Sequence, residues 1–462
     1  MIADLKPYSA YRESGLPWLG KVPEHWDVKR LKLLLREVDC RSSTGKEQLL
    51  RVSQYTGVTV RKSMDGTDLP DSRAASLIGY KRVMPNDLVI NIMLAWNGSM
   101  GVSRYEGIAS PAYCVYRFNS GALPLYYHEL LRIPLYKGRI KAASTGVVES
   151  RLRLYSDELG CIEAILPPPD EQASIVRFLN WANGQLEKAI RAKRKVITLL
   201  NEQKQVIIHR AVTRGLDPSV TLKPSGISWI GDIPKHWEVR RIKQVARILR
   251  GKFSHRPRND ASLYDGSYPF IQTGAVAKAS KFITSHNQTL NEKGLAVSKL
   301  FPSGTLVMTI AANIGDVAIL TFEACFPDSI VGFVPSLAAD RDYLYMVFLC
   351  MKPELLREAP VNTQGNLNVE RIGGMWVPFP SLPEQLEIVA GIDKESFPIT
   401  TAISRFERKI ELLREYRTRL VADVVTGKLD VREAAAKLPD EVQALEFEDD
   451  LVALEEDADS SL

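Results

Sequence analysis

The chain has 462 residues, 45% hydrophobic and 25% charged, with a net charge of +5, a composition that excludes a disordered or collagen-like chain and fits two to four folded domains. No apolar run approaches the ~20 residues of a membrane-spanning helix, and the first residues lack the apolar core of a secretory signal. Five scattered cysteines without a CxxC pair predict neither disulfides nor a zinc site, so we expect a cytoplasmic protein.

The first predicted domain covers residues 1–165. Short apolar runs at residues 88–93 and 112–118 alternate with turn residues, and the aromatic-rich residues 125–137 predict a helical stretch, so we expect a mixed α/β domain. Residues 1–439 carry a net charge of +15, which suits binding to nucleic-acid phosphates. Among the polar loop residues, Arg and Lys suit the acceptors of guanine and Asn and Gln suit adenine, although each such residue could simply be solvated surface. The DNA-contact candidates here are Gln54, Arg61, Lys62, Arg73, Lys81, Arg82 and Asn97.

A long helix is predicted next, within the spacer at residues 166–217. Apolar or long-stemmed side chains recur from Ile175 to Ile207 at alternating spacings of four and three, which is the seven-residue period of a coiled coil. Asp170 suits the N-cap position, and Gly215 suits the stop. The expected helix-pairing positions are Leu186, Ala189, Val196, Leu200 and Ile207.

The second predicted domain, residues 218–378, opens with a copy of an earlier segment. Residues 225–243 read SGISWIGDIPKHWEVRRIK and residues 14–32 read SGLPWLGKVPEHWDVKRLK, with ten identities in nineteen positions. No nucleophile or ligand cluster accompanies His25 or His236, so we expect neither a catalytic residue nor a metal site, and we interpret the neighbouring tryptophans as packing anchors. The DNA-contact candidates are Lys252, His255, Arg256, Arg258, Asn259, Gln272, Thr273, Lys278, Lys281 and Asn313.

A second helical spacer is predicted at residues 379–430. It repeats the first at an offset of 213, so that Glu171-Gln172 recurs as Glu384-Gln385. Gly184 and Pro398 fall at nearly equivalent places, and we expect a break or kink there, followed by a longer helix. A helix over 398–423 would span roughly 40 Å, or about twelve base pairs. The expected pairing positions are Ile399, Ala402, Phe406, Leu413 and Leu420.

Two different motifs repeated at offsets of 211 and 213 residues indicate a duplicated domain-plus-helix unit. We therefore predict an α+β protein in which two similar mixed α/β domains are separated by two long helices. These helices are expected to pair as an antiparallel coiled coil with pseudo-two-fold symmetry. The alternative is that each helix packs only on its own domain.

The chain closes with an acidic tail, residues 431–462. Residues 440–462 hold ten acids and neither Lys nor Arg, which leaves a charge of +15 on residues 1–439. A basic body is suited to binding phosphates. The composition of the tail leaves open whether it is disordered or folds on a partner.

Sequence motifs of catalysis are missing. We find no phosphate-binding GxxxxGK[ST] loop, no GxGxxG cofactor loop, no amino-methyltransferase Asn-Pro-Pro-aromatic motif and no nuclease set of acids with a lysine. A DNA-binding protein without catalytic motifs must supply its sequence specificity to other subunits that catalyse the reaction. Two alternatives remain: a stand-alone nuclease or methyltransferase with duplicated DNA-binding domains, and a scaffold that binds only proteins.

The repeated SG(L/I)xW(L/I)Gx(V/I)PxHW segments, the two EQ-headed helices and their VT(R/G)(G/K)LD ends resemble the specificity subunit of type I restriction–modification enzymes over about residues 5–430. The resemblance implies two target-recognition domains that each read half of a bipartite site in double-stranded DNA. It implies that the helices fix the gap and dock two methyltransferase subunits, with restriction subunits in addition. It also implies that S-adenosylmethionine, ATP and Mg²⁺ bind to those partners and that this chain carries no cofactor.

Overall fold

The computed structural model describes residues 5–61, 76–148, 151–311, 313–358 and 367–439. The chain divides into two compact units. Unit 1 comprises Met1–Lys193 and Arg408–Leu462, and unit 2 comprises Arg194–Glu407. In the described residues, no helix is both long and apolar enough to cross a membrane. All five cysteines are free.

Unit 1 is built on a four-stranded antiparallel sheet in the order β4-β11-β8-β9. Every residue of β8 is buried, which explains the three apolar residues Leu88, Val89 and Ile90 in succession. The strands are β1 (Tyr11–Glu13), β2 (Lys21–Pro23), β3 (Asp27–Arg30), β4 (Leu35–Glu37), β5 (Leu50–Ser53), β6 (Gly57–Val60), β7 (Lys81–Val83), β8 (Leu88–Asn91), β9 (Met100–Val102), β10 (Gly107–Ala109), β11 (Tyr113–Phe118) and β12 (Glu163–Leu166). The helices are α1 (Leu31–Leu34), α2 (Pro124–Leu130), α3 (Pro134–Ala143), α4 (Ser156–Cys161) and α5 (Pro169–Arg214), whose last part enters unit 2.

Unit 2 has a five-stranded sheet in the order β16-β24-β21-β22-β18, in which only the β18–β22 pair is parallel. Its strands are β13 (Leu222–Pro224), β14 (Asp232–Pro234), β15 (Glu238–Arg241), β16 (Ala246–Arg250), β17 (Tyr264–Pro269), β18 (Phe282–Ile283), β19 (Thr289–Leu290), β20 (Leu300–Phe301), β21 (Leu306–Thr309), β22 (Val317–Leu320), β23 (Ala324–Cys325), β24 (Ile330–Pro335) and β25 (Trp376–Phe379). Its helices are α6 (Ile242–Val245), α7 (Thr273–Lys278), α8 (Glu292–Ala296), α9 (Arg341–Glu358), α10 (Val369–Gly374) and α11 (Leu382–Val425), whose last part enters unit 1; α12 (Arg432–Ala436) follows there.

The helical stretch predicted over residues 125–137 consists of two helices, α2 and α3. Pro134 is the first residue of α3 and interrupts the run, because a proline cannot donate the hydrogen bond that would continue α2. The corresponding α9 of unit 2 is continuous, although it contains Pro353. The predicted α+β class, with a mixed α/β domain in each unit, is confirmed.

A break or kink was predicted near Gly184 and Pro398. The break is wrong, since α5 is one helix of 46 residues and α11 one of 44, and the kink stays a prediction. Gly184 is buried, and an interior glycine costs a helix only about 1 kcal/mol relative to alanine. Pro398 and Lys394 both lie on the exposed face of α11, so water can satisfy the carbonyl that the proline ring leaves without its helical donor.

The two long helices run antiparallel in each unit. In unit 1, Glu187 of α5 pairs with Arg417 of α11 at 3.7 Å. In unit 2, Lys204 donates to Thr400 at 3.2 Å and Arg210 to Glu395 at 2.9 Å, so residue numbers fall along α11 as they rise along α5. Apolar residues from both helices share one core in each unit. The predicted antiparallel pairing is thereby confirmed.

The predicted seam positions differ in their burial. Leu186, Ile207, Ile399 and Leu420 are buried, whereas Ala189, Leu200, Ala402, Phe406 and Leu413 are half-buried and Val196 is exposed. Ile190 and Ile410 are buried although the heptad omits them. A straight helix drifts by about 20° per heptad, so a strict seven-residue period loses the buried face along a long helix.

Candidate nucleic-acid interface

Glu171, in the first turn of α5, gathers four donors from distant parts of unit 1. Its Oε1 lies 2.6 Å from His25 Nε2 and 3.3 Å from an Arg432 guanidinium nitrogen. Its Oε2 accepts from Trp26 Nε1 at 2.9 Å and from the Tyr8 hydroxyl at 3.0 Å. We call Glu171 and these four residues the carboxylate clamp of unit 1. It joins the first helix turn to the repeated His-Trp motif and to segments near both ends of the described chain.

Tyr8 and Arg432 keep their donor forms in this clamp. Burial, followed by the nearby Glu171 charge, raises the pKa of Tyr8 far above its usual value, so its hydroxyl stays protonated. The hydrogen bond from Arg432 to Asp430 raises the pKa of that guanidinium further. Burial alone would raise the pKa of Asp430, but hydrogen bonds from the side chain and backbone of Arg432 lower it overall. The clamp therefore holds fixed donors around one carboxylate.

Unit 2 contains a second clamp of simpler composition, formed by Glu384, His236 and Trp237. Glu384 accepts from Trp237 Nε1 at 2.8 Å, and His236 Nε2 lies 3.2 Å from its carboxylate. Its side chain is 26% exposed, against 9% for Glu171. In the described residues no Tyr or Arg contributes to this second clamp. Trp26 and Trp237 are both buried, which confirms that the repeated tryptophans are packing anchors.

The glutamine after each clamp glutamate fastens the helix to its domain. Gln172 accepts from the Leu123 amide at 2.7 Å and donates to the Gly121 and Pro167 carbonyls at 2.8 Å. Gln385 does the same in unit 2, with the Asp340 amide at 2.7 Å and the Ala338 and Pro380 carbonyls at 3.0 and 2.9 Å. Both side chains are fully buried. The repeated EQ dipeptide is thus a structural fastening.

A tyrosine ties each domain to the other long helix. Tyr126 donates to the Val425 carbonyl at 2.8 Å near the end of α11 in unit 1. Tyr343 donates to the Val212 carbonyl at 3.4 Å near the end of α5 in unit 2, and to Pro378 at 3.1 Å. In each unit the domain is therefore fixed to both helices, and the loops that it carries have a rigid base.

The two clamps are expected to respond unequally to the same substitution. Glu171→Gln replaces one acceptor oxygen by an NH₂ group facing two donors, and bonds to charged groups contribute about 1.5–3 kcal/mol each. We expect it to cost roughly 2–4 kcal/mol, and Glu384→Gln roughly half as much, because Glu384 serves fewer donors and is more exposed. Hydrogen–deuterium exchange of peptides around residues 8–13 and 427–432 should rise only in Glu171→Gln. Equal effects in the two variants would contradict the difference, and exposed Glu407→Gln is the control.

The unit 1 candidates occupy different environments. Gln54 lies in the β5–β6 turn, where its carbonyl accepts from Arg132, and Arg61 is exposed just after β6. Lys81 is buried and its ammonium lies 3.6 Å from Glu37 and 3.8 Å from Asp39, so it is already engaged. Further along the chain, Arg82 pairs with Glu106 at 3.3 Å, and Asn97 accepts from Ser99. Lys62 and Arg73 lie outside the described residues, as does the tail from residue 440.

The DNA-contact candidates of unit 2 form two groups, and Asn313 lies apart from both. The first lies on the loop between β16 and β17, where His255 pairs with Asp260, Arg256 and Arg258 both pair with Asp328, and Lys252 and Asn259 are exposed. The second surrounds α7, where Gln272, Thr273 and Lys278 lie on or beside the helix. Lys281 follows α7 and pairs with Asp342 at 2.9 Å. Asn313 is exposed in the turn between β21 and β22.

The loops that carry these candidates differ between the units. In unit 1, Arg132 holds the β5–β6 turn through the carbonyls of Gln54 and Tyr55 and through that of Met100 on β9. In unit 2, a separate small core of Phe253, Phe270 and other apolar residues supports the 252–260 loop. The same fastening thus supports two unlike surfaces.

Sequence reasoning missed the roles of Tyr8, Arg432 and the two EQ pairs. The recurrence of Glu-Gln at a fixed offset beside a recurring His-Trp was a usable signal for the clamps. Tyr8 and Arg432 stand outside the matched segments, and no pattern pointed to them. In the part of the chain that the structure describes, no group of three or more His, Cys, Asp or Glu side chains could hold a metal ion.

Comparison with known proteins gives one consistent result. Residues 234–414 match the family model of the type I restriction modification DNA specificity domain. The putative type I restriction enzyme MjaX specificity subunit of Methanocaldococcus jannaschii is 23% identical over 432 residues, covering 90% of this chain and 96% of that protein. The MjaVIII specificity subunit of the same organism is 24% identical over 247 residues, covering 50% of this chain and 52% of that protein.

A solved structure shares the fold. It comes from work on complex assembly and conformational transition of the type I R-M system, and it matches with a TM-score of 0.60 at 16% identity, covering 88% of this chain and 99% of that one. The duplicated motifs, the paired helices and the family match agree. Residues 234–414 therefore carry a type I restriction modification DNA specificity domain, and the chain is similar over most of its length to a type I specificity subunit.

Proposed function

We propose that this chain reads a bipartite site in double-stranded DNA, with the loops of each unit reading one half. One observation carries the proposal: the same fastening of domain to helices occurs in both units, while the loops above it differ. A common base with unlike polar loops is what two independent readers with different targets require. Specific reading needs side chains at base edges, and phosphate contacts then fix the register.

The proposal assigns the gap between the half-sites to α5 and α11. Each unit contains part of both helices in antiparallel pairing, with ion pairs or hydrogen bonds across the pair. A helix advances 1.5 Å per residue and B-DNA 3.4 Å per base pair, so helix length converts into base pairs. Seams held by Leu186 and Ile190 in unit 1, and by Ile207 and Ile399 in unit 2, favour stiff helices over flexible linkers.

We further propose that the helices dock two methyltransferase subunits, that restriction subunits join this assembly, and that the complex works in the cytoplasm. Large apolar side chains exposed on the helices of unit 2 support a protein partner, because such surface on a monomer commonly marks an interface. They include Leu199, Val206, Leu386 and Phe397, the last 71% exposed. S-adenosylmethionine, ATP and Mg²⁺ would then be bound by the partners, not by this chain.

A domain exchange tests the proposed reading. Residues 14–165 would be replaced by the corresponding domain of another specificity subunit, and methylated adenines would be mapped genome-wide in cells with the partner subunits. We expect one half-site to change while the other half and the gap persist, since unit 2 keeps its own loops. The reciprocal control exchanges residues 225–378 and should change the other half. A change in both halves from either exchange would refute independent reading.

A further inference from the structure

Helix α5 carries a cationic face that neither the clamps nor the helix seam explains. Residues 188–195 read KAIRAKRK, five cations in eight helical positions with no acid. At 100° per residue, Lys188, Arg191, Arg194 and Lys195 share one sector of about 120°, whereas Lys193 points toward the seam. We call these four residues the basic face. Lys188, Arg191 and Lys195 are exposed, and Arg194 is half-exposed.

The basic face is not neutralised within the described chain. None of its four side chains forms an ion pair among the described residues. The adjacent acid, Glu187, is 15% exposed and directed to Arg417. Like charges spaced three or four residues apart destabilise a helix by about 0.2–0.5 kcal/mol per pair, and this face contains three such pairs. An uncompensated cost of this kind favours an anionic ligand over mere solvation.

Duplication does not explain the basic face either. At the repeat offset of 213, its four positions correspond to Thr401, Ser404, Glu407 and Arg408 of α11, a set with no net charge. Two exposed arginines of α11 are balanced locally, because Arg408 pairs with Glu411 at 2.9 Å and Arg419 with Glu415 at 2.6 Å. The four corresponding positions of the second helix therefore do not form such a face.

We propose that the basic face binds the phosphate backbone of duplex DNA between the two half-sites, which rests on the proposed bipartite reading. From residue 188 to residue 195 the helix rises about 10.5 Å, close to three phosphate spacings of 3.4 Å along one strand. The contact is electrostatic and carries no base preference.

The composition of the face favours DNA over a protein partner. Between Lys188 and Lys195, Ala189 and Ile190 lie toward the seam, so the exposed surface holds only the four cations and Ala192. Protein interfaces are depleted in lysine at their centres and need apolar anchors, whereas phosphate binding needs cations alone.

The test uses the full chain assembled with its methyltransferase subunits. In the K188Q/R191Q/R194Q/K195Q variant, which keeps good helix formers, affinity would be measured for cognate and unrelated duplexes over a range of salt concentrations. Each lost phosphate contact should reduce the slope of log affinity against log salt by about 0.9. We expect a reduction of roughly 2–3.5 on both duplexes, a 10- to 100-fold loss of affinity at low salt, and unchanged methylated sequences.

A charge-preserving exchange is the matched control. The K188R/R191K/R194K/K195R variant should keep the wild-type slope, because phosphates accept either cation. An unchanged slope in the glutamine variant would overturn the proposal, and so would weaker assembly with the methyltransferase subunit at an unchanged slope. Failure of the proposed function has a different signature: the wild-type complex would not prefer cognate DNA, while the slope on unrelated DNA would still report on the basic face.

Discussion

Replacing Gln172 by methionine is expected to destabilise unit 1 by about 3–5 kcal/mol. The side chain is fully buried and serves the Leu123 amide and two carbonyls, and methionine of similar length can serve none of them. Each buried backbone group left without a partner costs about 1–3 kcal/mol. The Gly121 carbonyl lies in an exposed turn and can accept a hydrogen bond from water instead. The expected loss of stability is therefore smaller than the full cost of three unpaired backbone groups.

The second unit and the same helix supply the controls. Gln385→Met should cost a similar amount in unit 2, because its three partners are equivalent. Gln185→Met, on the exposed face of α5, should change the free energy of unfolding by less than about 0.5 kcal/mol. Hydrogen–deuterium exchange resolves the units: the Gln172 variant should lose protection in residues 119–131 and 163–182. Wild-type protection there would show that the hydrogen bonds of Gln172 are dispensable.

The repeats predicted the architecture because they relate segments about 210 residues apart, and so they show directly which distant parts of the chain are equivalent. Two motifs at nearly one offset indicated two equivalent units, and the heptad from Ile175 to Ile207 favoured a partner helix over packing on the helix's own domain alone. Both units and the antiparallel pairing are present. The break expected at Pro398 is absent because local preference lost to the packing of Ser396 and Ile399 on the buried side of α11.

The clamps and the DNA contacts are the features that the sequence alone could not predict. Glu171 gathers partners from Tyr8 to Arg432, and no local pattern identifies such contacts before the chain is folded. In the sequence, Lys81 resembles an exposed cation of a loop. In the structure it lies in β7, which pairs with β10, and its side chain is buried beside Glu37. A single sequence does not show which polar loop residues face DNA, so the candidate contacts stay predictions.

Lengthening both helices by one heptad is expected to widen the recognised gap. Seven residues would be inserted after Lys193 in α5 and seven after Glu407 in α11, so that the antiparallel contacts within each unit keep their partners. Seven residues complete nearly two turns and add about 10.5 Å, or roughly three base pairs. Both domains keep their loops and their clamps, so the half-sites should stay the same.

A matched pair of variants controls for disturbed folding. Inserting the heptad in only one helix breaks the pairing of residues across α5 and α11, and it should reduce assembly with the partner subunits without defining a new gap. Both inserts would be rich in alanine, because alanine has the highest helix propensity and the inserted turns then continue the helices on either side. Circular dichroism and complex purification would establish that the double insertion is folded.

The most direct test of whether helix length sets the gap is a genome-wide map of methylated adenines. The map would be made in cells that carry the double insertion together with the partner subunits. Our account requires the two original half-sites to reappear with about three additional base pairs between them. Methylation that persists at the original gap, or half-sites with altered bases, would mean that the lengths of α5 and α11 do not set the distance between the half-sites.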